Sequence, residues 1–177
     1  MNERRRRFEQ AVLPHLDAAF NLARWLTRND HDAEDVVQES MLRAYRFFDG
    51  LRGDARPWLL SIVRNSCFTW LQVNRPAELA GGIDERAGEA PAEPDGPEAL
   101  AVRAFDRRML NEAIAALPPH FREVLILREL EELSYKDIAR VADVRIGTVM
   151  SRLARARRLL AESMRLLANV TGSQVHE

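Results

Sequence analysis

The chain has 177 residues, of which 46% are hydrophobic and 30% are charged, so one or two small soluble domains are expected. No apolar run approaches the ~20 residues that span a bilayer, and the basic start of the chain lacks the apolar core of a secretory signal. The lone Cys67 excludes an internal disulfide and a cysteine-based zinc site, and it fits a reducing cytoplasm.

The formal net charge of −1 hides an uneven distribution of charge. Residues 76–100 contain a single base, Arg86, among many acids: Glu78, Asp84, Glu85, Glu89, Glu93, Asp95 and Glu98. This acidic segment masks a surplus of bases elsewhere in the chain. The net charge therefore does not argue against a nucleic-acid partner.

Hydrophobic spacing predicts three helices in residues 1–75, over about 8–28, 33–48 and 57–74. We expect Asp32 to cap the second helix and Pro57 to stand near the start of the third. The stretch 49–54, with two glycines, is a predicted loop. The interpretation is an N-terminal domain of three helices, with room for a minor fourth.

Residues 76–97 alternate proline and glycine with acids and alanines. Such a composition buries too little apolar surface to order itself, so we predict a flexible acidic linker. Roughly 20 residues stretch to at most about 70 Å. Two turns of B-DNA have about that length, so two domains on this tether could reach separate sites on one duplex.

Helical spacing resumes over residues 98–167, and residues 168–177 are expected to form a C-terminal tail. Two helices are predicted over 101–116 and 120–131, separated at Pro118 and Pro119. Residues 133–158 then read as a helix-turn-helix, with Ser134 as N-cap and Asp143 in a left-handed turn. No strand is expected anywhere, so the fold class is all-α with two small helical domains.

The second helix of this motif has one apolar face and a surplus of arginine. The recurrence of Val149, Leu153, Ala156 and Leu160 defines the buried side. A solvated basic face is the ordinary explanation of such charges. The turn, the small Ala139 and the one-sided charge instead favour a helix that enters a major groove and offers guanidinium groups to phosphates and guanine edges.

Two surfaces of the N-terminal domain also invite a functional interpretation. One is the outer face of the second helix, which alone could be merely solvated. The other is the third helix with its preceding loop, where arginines alternate with aromatic residues, a pattern suited to unstacked bases. Phe68 is expected in the core, whereas core and binding roles remain equally open for Trp58.

Three segments resemble bacterial sigma factors of the extracytoplasmic-function (ECF) group of the sigma-70 family. DAEDVVQESMLRAYRFF (32–48) and RPWLLSIVRNSCFTWL (56–71) resemble sigma region 2, and residues 116–160 resemble region 4. The resemblance implies a region 2 domain over 1–75 and a region 4 domain over 98–167. It also implies a non-enzymatic transcription initiation factor that binds core RNA polymerase, recognises −35 and −10 promoter elements and assists melting.

The resemblance assigns roles to individual residues. Contacts with the polymerase β′ clamp helices are implied for Asp35, Gln38, Glu39 and Leu42. Contacts with the opened −10 element are implied for Arg52, Arg56, Trp58, Arg64 and Asn65. Contacts with duplex −35 DNA are implied for Arg145, Thr148, Met150, Ser151, Arg152, Ala154, Arg155 and Arg158. Met150 and Arg145 depart from the family pattern, so the −35 sequence that is read is expected to be unusual.

The implied partners are core polymerase, through the β′ clamp helices and the β flap, promoter DNA, and an anti-sigma factor, with no membrane insertion and no cofactor. The alternative is a stand-alone helix-turn-helix regulator that binds duplex DNA unaided. A recombinase is a third possibility, but the candidate serines lack a matching base: Ser40, Ser61 and Ser66. The histidines are too widely separated to suggest a metal site: His15, His31, His120 and His176.

Overall fold

A computed structural model describes residues 2–80 and 107–173 of the chain. The N-terminal part consists of α1 (Glu3–Val12), α2 (Leu16–Thr27), α3 (Asp30–Arg46), α4 (Ala55–Asn74) and the short α5 (Pro76–Ala80). The C-terminal part consists of α6 (Arg107–Ala115), α7 (Pro119–Glu129), α8 (Tyr135–Ala142) and α9 (Ile146–Ser173). Within these ranges there is no strand, so the all-α prediction is confirmed.

Two predicted features of the N-terminal helices are wrong. The single helix over 8–28 is interrupted by a 3₁₀ turn at Leu13–His15, where Pro14 has no N–H to continue the α-helical pattern. The cap of α3 is Asn29 rather than Asp32, because the extended Asn29 accepts a hydrogen bond from the Asp32 backbone N–H at 3.0 Å.

The expected linker and tail lie partly outside the described residues. The first part of the proposed linker, Pro76–Ala80, is helical, and residues 81–97 are not described. At the other end, α9 continues to Ser173 through positions expected to belong to the tail. The start of the C-terminal domain, residues 98–106, is likewise not described.

The two helical parts pack against each other through α4. Within its own domain α4 packs on α2 and α3, and it also contacts α8 of the C-terminal part, while α2 contacts α7. Buried leucines of α2 and α4 form the N-terminal core: Leu22, Leu26, Leu59, Leu60 and Leu71. A second set, including Ile126, Leu127, Ile138 and Leu153, fills the space between α7, α8 and α9. No helix within the described ranges is long and apolar enough to cross a membrane.

Candidate nucleic-acid interface

The helix-turn-helix motif forms as the sequence predicts. The Ser134 hydroxyl accepts a hydrogen bond from the Asp137 backbone N–H at 3.1 Å and caps α8. Asp143 ends α8 in the left-handed conformation with φ 54°. The short turn then starts α9 at Ile146, and Val149, Leu153 and Ala156 are buried against the domain. The opposite face of α9 is directed away from the C-terminal core.

That opposite face contains most of the residues assigned to the −35 element. Three of these residues are exposed: Arg145, Met150 and Arg158. Four others are half-buried: Thr148, Ser151, Ala154 and Arg155. The Arg155 guanidinium lies 5.5 Å from the centre of the Phe121 ring of α7, a distance that permits a cation–π contact. Ser151 donates a hydrogen bond from its hydroxyl to the Thr148 carbonyl at 3.1 Å.

Arg152 is the exception on this helix, because only 7% of it is exposed. One of its Nη atoms lies 3.9 Å from a carboxylate oxygen of Glu123 in α7. The expected phosphate-binding side chain is therefore turned towards the interior in this arrangement.

The residues assigned to the −10 element lie along α4 and the loop before it. Arg52 and Asn65 are exposed, whereas Arg56, Trp58 and Arg64 are half-buried. The Trp58 ring meets the Phe48 ring edge-on, with centres 6.5 Å apart, so part of this indole packs against the N-terminal core.

Phe68 is buried, as expected. The centre of its ring lies 3.9 Å from the Arg64 guanidinium and 4.8 Å from the centre of the His120 ring.

Carboxylates of the C-terminal part engage two of these arginines. Arg64 donates two hydrogen bonds to the Glu123 carboxylate, from Nε to Oε2 at 2.7 Å and from Nη2 to Oε1 at 3.1 Å. The Glu123 side chain is fully buried. Arg56 donates to Glu131 Oε2 at 3.0 Å, and the other oxygen of Glu131 accepts from Asn21 at 2.7 Å. The surface where α2 and α4 meet α7 and α8 is called here the seam between the domains. Charge-assisted hydrogen bonds cross this seam.

Two arginines of the C-terminal part also donate hydrogen bonds across the seam to backbone carbonyls of the N-terminal part. Arg140 of α8 donates to the carbonyl of Arg52 at 3.0 Å, close to Gly53, whose φ of 74° favours glycine. Arg122 of α7 donates to the Trp25 carbonyl at 2.9 Å. Burial, together with the charges of Arg28 and Arg75 and opposed by that of Glu78, lowers the pKa of Arg122 to about 10.

Sequence reasoning missed Glu123 and Glu131 as partners of the candidate DNA-binding arginines. Glu123 stands four residues before the buried Leu127 and so lies on the same face of α7. A carboxylate in phase with core positions indicates a buried cationic partner. The sequence does not say which arginine supplies that partner.

The residues assigned to polymerase contact form an exposed patch on α3, away from the seam. Asp35, Gln38, Glu39 and Leu42 are exposed on one face, and Leu42 is 71% exposed despite its size. Glu39 pairs with Arg43 at 3.0 Å, one turn further along the helix. An exposed leucine surrounded by acids and an amide suits a protein partner rather than DNA. Within the described ranges no group of three acidic, histidine or cysteine side chains could hold a metal ion.

Comparison with known proteins agrees with this geometry. The sigma-70 region 2 family matches residues 11–76, and the sigma-70 region 4 family matches residues 107–160. The ECF RNA polymerase sigma factor SigE of Mycolicibacterium smegmatis is 33% identical over 156 residues. That match covers 88% of this chain but only 60% of the relative, so the chain spans less than two thirds of that protein.

Other relatives are covered more fully. The ECF sigma-E factor of Haemophilus influenzae is 36% identical, over 82% of this chain and 80% of the relative. The sigma factor RpoE of Bartonella quintana, crystallised with the anti-sigma factor NepR, is similar with a TM-score of 0.67 and 26% identity, over 89% of this chain and 96% of that one. CnrH, in complex with the cytosolic domain of CnrY, is similar with a TM-score of 0.58, 25% identity and coverage of 89% and 87%.

The paired region 2 and region 4 domains define a class of protein, the sigma factors that initiate bacterial transcription. The chain belongs to the sigma-70 family and, within it, to the ECF group of alternative sigma factors.

Proposed function

We propose that this chain binds core RNA polymerase, directs it to a subset of promoters and helps to open the −10 region, without catalytic activity of its own. The observation that supports this most strongly is that one chain combines two sigma-type domains, with a helix-turn-helix over α8 and α9 in one and an α4 that carries Arg56, Trp58 and Arg64 in the other. The site of action is the cytoplasm, where polymerase and promoter DNA meet.

The α3 patch is the proposed docking surface for the clamp helices of the polymerase β′ subunit. Asp35, Gln38 and Glu39 supply charge and hydrogen bonds around the exposed Leu42. A central apolar side chain ringed by polar groups is a common composition of protein interfaces. The C-terminal domain is proposed to contact the β flap while α9 reads the −35 duplex.

The loop before α4 and its exposed face are the proposed site for unpaired −10 bases. Trp58 offers an aromatic ring, Asn65 an amide, and Arg52, Arg56 and Arg64 offer cations for phosphates. Flipping a base costs a few kcal/mol. Stacking contributes about 1–3 kcal/mol per base and could offset that cost.

The packed arrangement is proposed to be a state without promoter DNA. Arg56 and Arg64 are bonded to Glu131 and Glu123, so a DNA phosphate must displace these carboxylates before it can bind. Separation of the domains over the proposed tether at residues 81–97 would free Arg56 and Arg64, whereas Arg152 would stay beside Glu123 because both belong to the C-terminal domain. Because the RpoE structure contains NepR and the CnrH structure contains CnrY, an anti-sigma factor is the proposed partner of this state.

The test is to mix the purified chain with core polymerase and assay abortive transcription on promoters bearing −35 and −10 elements. A stable holoenzyme that makes short transcripts supports the proposal. Tight binding to duplex DNA without polymerase, together with no holoenzyme, would instead favour a stand-alone helix-turn-helix regulator.

A further inference from the structure

The start of the recognition helix α9 presents two large apolar side chains to the outside. Ile146 is 46% exposed and Met150, one turn later, is 39% exposed. Ala154 follows after a second turn and is half-buried. Side chains four residues apart lie along one side of a helix, so these residues form a continuous apolar strip, named here the apolar strip of α9.

The strip lies beside the face of α9 that points away from the core, because Val149, Leu153 and Ala156 occupy the buried side. Within the described residues, α9 packs against α6, α7 and α8 on that buried side. As far as the described residues go, the strip therefore remains partly exposed even though the two domains are packed together.

The charges around the strip indicate what covers it. Arg145 precedes it and Arg158 follows it, and both are exposed. Exposed cations at both ends of the strip suit a polyanion such as DNA. An acidic protein partner would also complement the arginines, but the helix-turn-helix geometry places this end of the second helix in a major groove.

Within a major groove, the one large apolar group on a base edge is the C5-methyl of thymine. Met150 is long and unbranched, so its terminal methyl can reach a base edge and adapt to its position. Ser151 beside it can accept or donate a hydrogen bond to either base of a pair. We propose that Met150, supported by Ile146, reads thymine in the −35 element through its C5-methyl group.

This inference rests on the proposed function, because it requires that α9 enter the −35 duplex. It adds a chemical selectivity: the preferred element contains thymine at the base pair facing Met150. Each methyl removed from this contact should weaken binding about fourfold, which corresponds to ~0.8 kcal/mol for a buried methyl-sized group.

The experiment uses holoenzyme formed from the full chain and core polymerase. A promoter library with a randomised −35 element is first selected for open-complex formation, and thymine should be enriched at one or more positions. Each −35 thymine on either strand is then replaced by deoxyuridine, which pairs identically but lacks the methyl. We expect about a fourfold weaker complex at the thymine read by Met150.

Variants assign the effect to the residue. Met150→Ala should bind the thymine and deoxyuridine promoters equally. Arg158→Ala, the matched control on the same helix, should weaken both promoters and preserve their ratio, because it removes a charge and leaves the strip intact. Ile146→Ala should reduce the discrimination only partly.

The outcomes separate this inference from the proposed function. If the holoenzyme opens promoters but binds thymine and deoxyuridine equally at every position, or if Met150→Ala keeps the full discrimination, the inference is overturned while the sigma function stands. If no holoenzyme or open complex forms on any template, the proposed function itself fails.

Discussion

The Arg64 guanidinium of α4 donates two hydrogen bonds, of 2.7 and 3.1 Å, to the fully buried Glu123 carboxylate of α7 across the seam between the domains. The same carboxylate lies 3.9 Å from Arg152 of the recognition helix. One acid of region 4 thus faces an arginine proposed for −10 DNA and another proposed for −35 DNA. Its removal should affect both surfaces.

Glu123→Gln should loosen the packing of the two domains. Removing one charge from a buried pair leaves the arginines uncompensated and costs about 3 kcal/mol or more. Small-angle X-ray scattering should show a larger radius of gyration for this variant than for the parent chain. Glu129→Gln is the matched control, since Glu129 lies on the same helix but pairs with Arg157 of its own domain at 2.9 Å.

An equal radius of gyration for Glu123→Gln, Glu129→Gln and the parent would show that the Arg64–Glu123 pair does not hold the domains together. A loss of helical signal in Glu123→Gln would instead indicate unfolding. Far-ultraviolet circular dichroism, measured on the same samples, distinguishes that result from a change of packing.

Asp35→Arg should weaken the binding of core polymerase without unfolding the chain. Asp35 is exposed on α3, and reversing its charge inside a complementary interface opposes association. We expect at least a tenfold rise in the dissociation constant, or roughly 1.4 kcal/mol. Asp17→Arg makes the same charge change on the exposed side of α2 and should leave the affinity nearly unchanged. If the two variants bind core polymerase with equal affinity, the α3 patch is not the polymerase-binding surface.

Ser134→Ala should destabilise the helix-turn-helix. The hydroxyl of Ser134 satisfies the Asp137 backbone N–H at the start of α8, and loss of such a cap costs about 1 kcal/mol. The free energy of unfolding, measured by urea titration, should fall by that amount. Ser163→Ala, within α9, removes a serine from a helix interior and should not lower it. A fall as large for Ser163→Ala would show that the cap is not the cause.

The thiol of Cys67 should make stability depend on pH above 9. Burial, aided by the nearby charge of Glu123 and opposed by Arg64, raises the pKa of Cys67 from 9.0 to about 12. The unfolded chain therefore releases this proton before the folded chain does. The contribution to stability is complete below pH 9 and is lost as pH rises towards 12, at about 1.4 kcal/mol per pH unit.

Cys67→Ala provides the reference for this effect, because alanine does not titrate and all other groups remain. Between pH 9 and 11, the free energy of unfolding of the parent should fall more steeply than that of the variant. Parallel curves for the two chains would mean that the thiol is not held protonated by the fold.

Local features of the fold were predictable because they depend on neighbouring residues. The Ser134 cap, the left-handed Asp143 and the buried face of α9 follow from residue type and helical spacing. Pro14 also signals a break in the sequence. The continuous apolar spacing over residues 8–28 nevertheless favoured one uninterrupted helix. At the start of α3, Asn29 and Asp32 are both good caps, and the chain conformation decides between them.

The seam between the domains was not predictable, since it depends on how two distant segments dock. Arg64 and Glu123 are far apart in the chain, and either could have faced solvent. Arg152 falls beside exposed arginines in the sequence, yet it lies near the edge of the buried face of α9 and turns inward towards Glu123. Arg64 meets Glu123 because the two domains dock, whereas Arg152 reaches Glu123 because α9 packs on α7.

The most direct test of the whole account is run-off transcription with purified core polymerase and the purified chain on genomic fragments. Discrete transcripts should appear only when the chain is present, and each start site should be preceded by −35 and −10 elements at a constant spacing. If the chain fails to join core polymerase, or if the transcripts are the same as with core polymerase alone, the assignment of this chain as an initiation factor is contradicted.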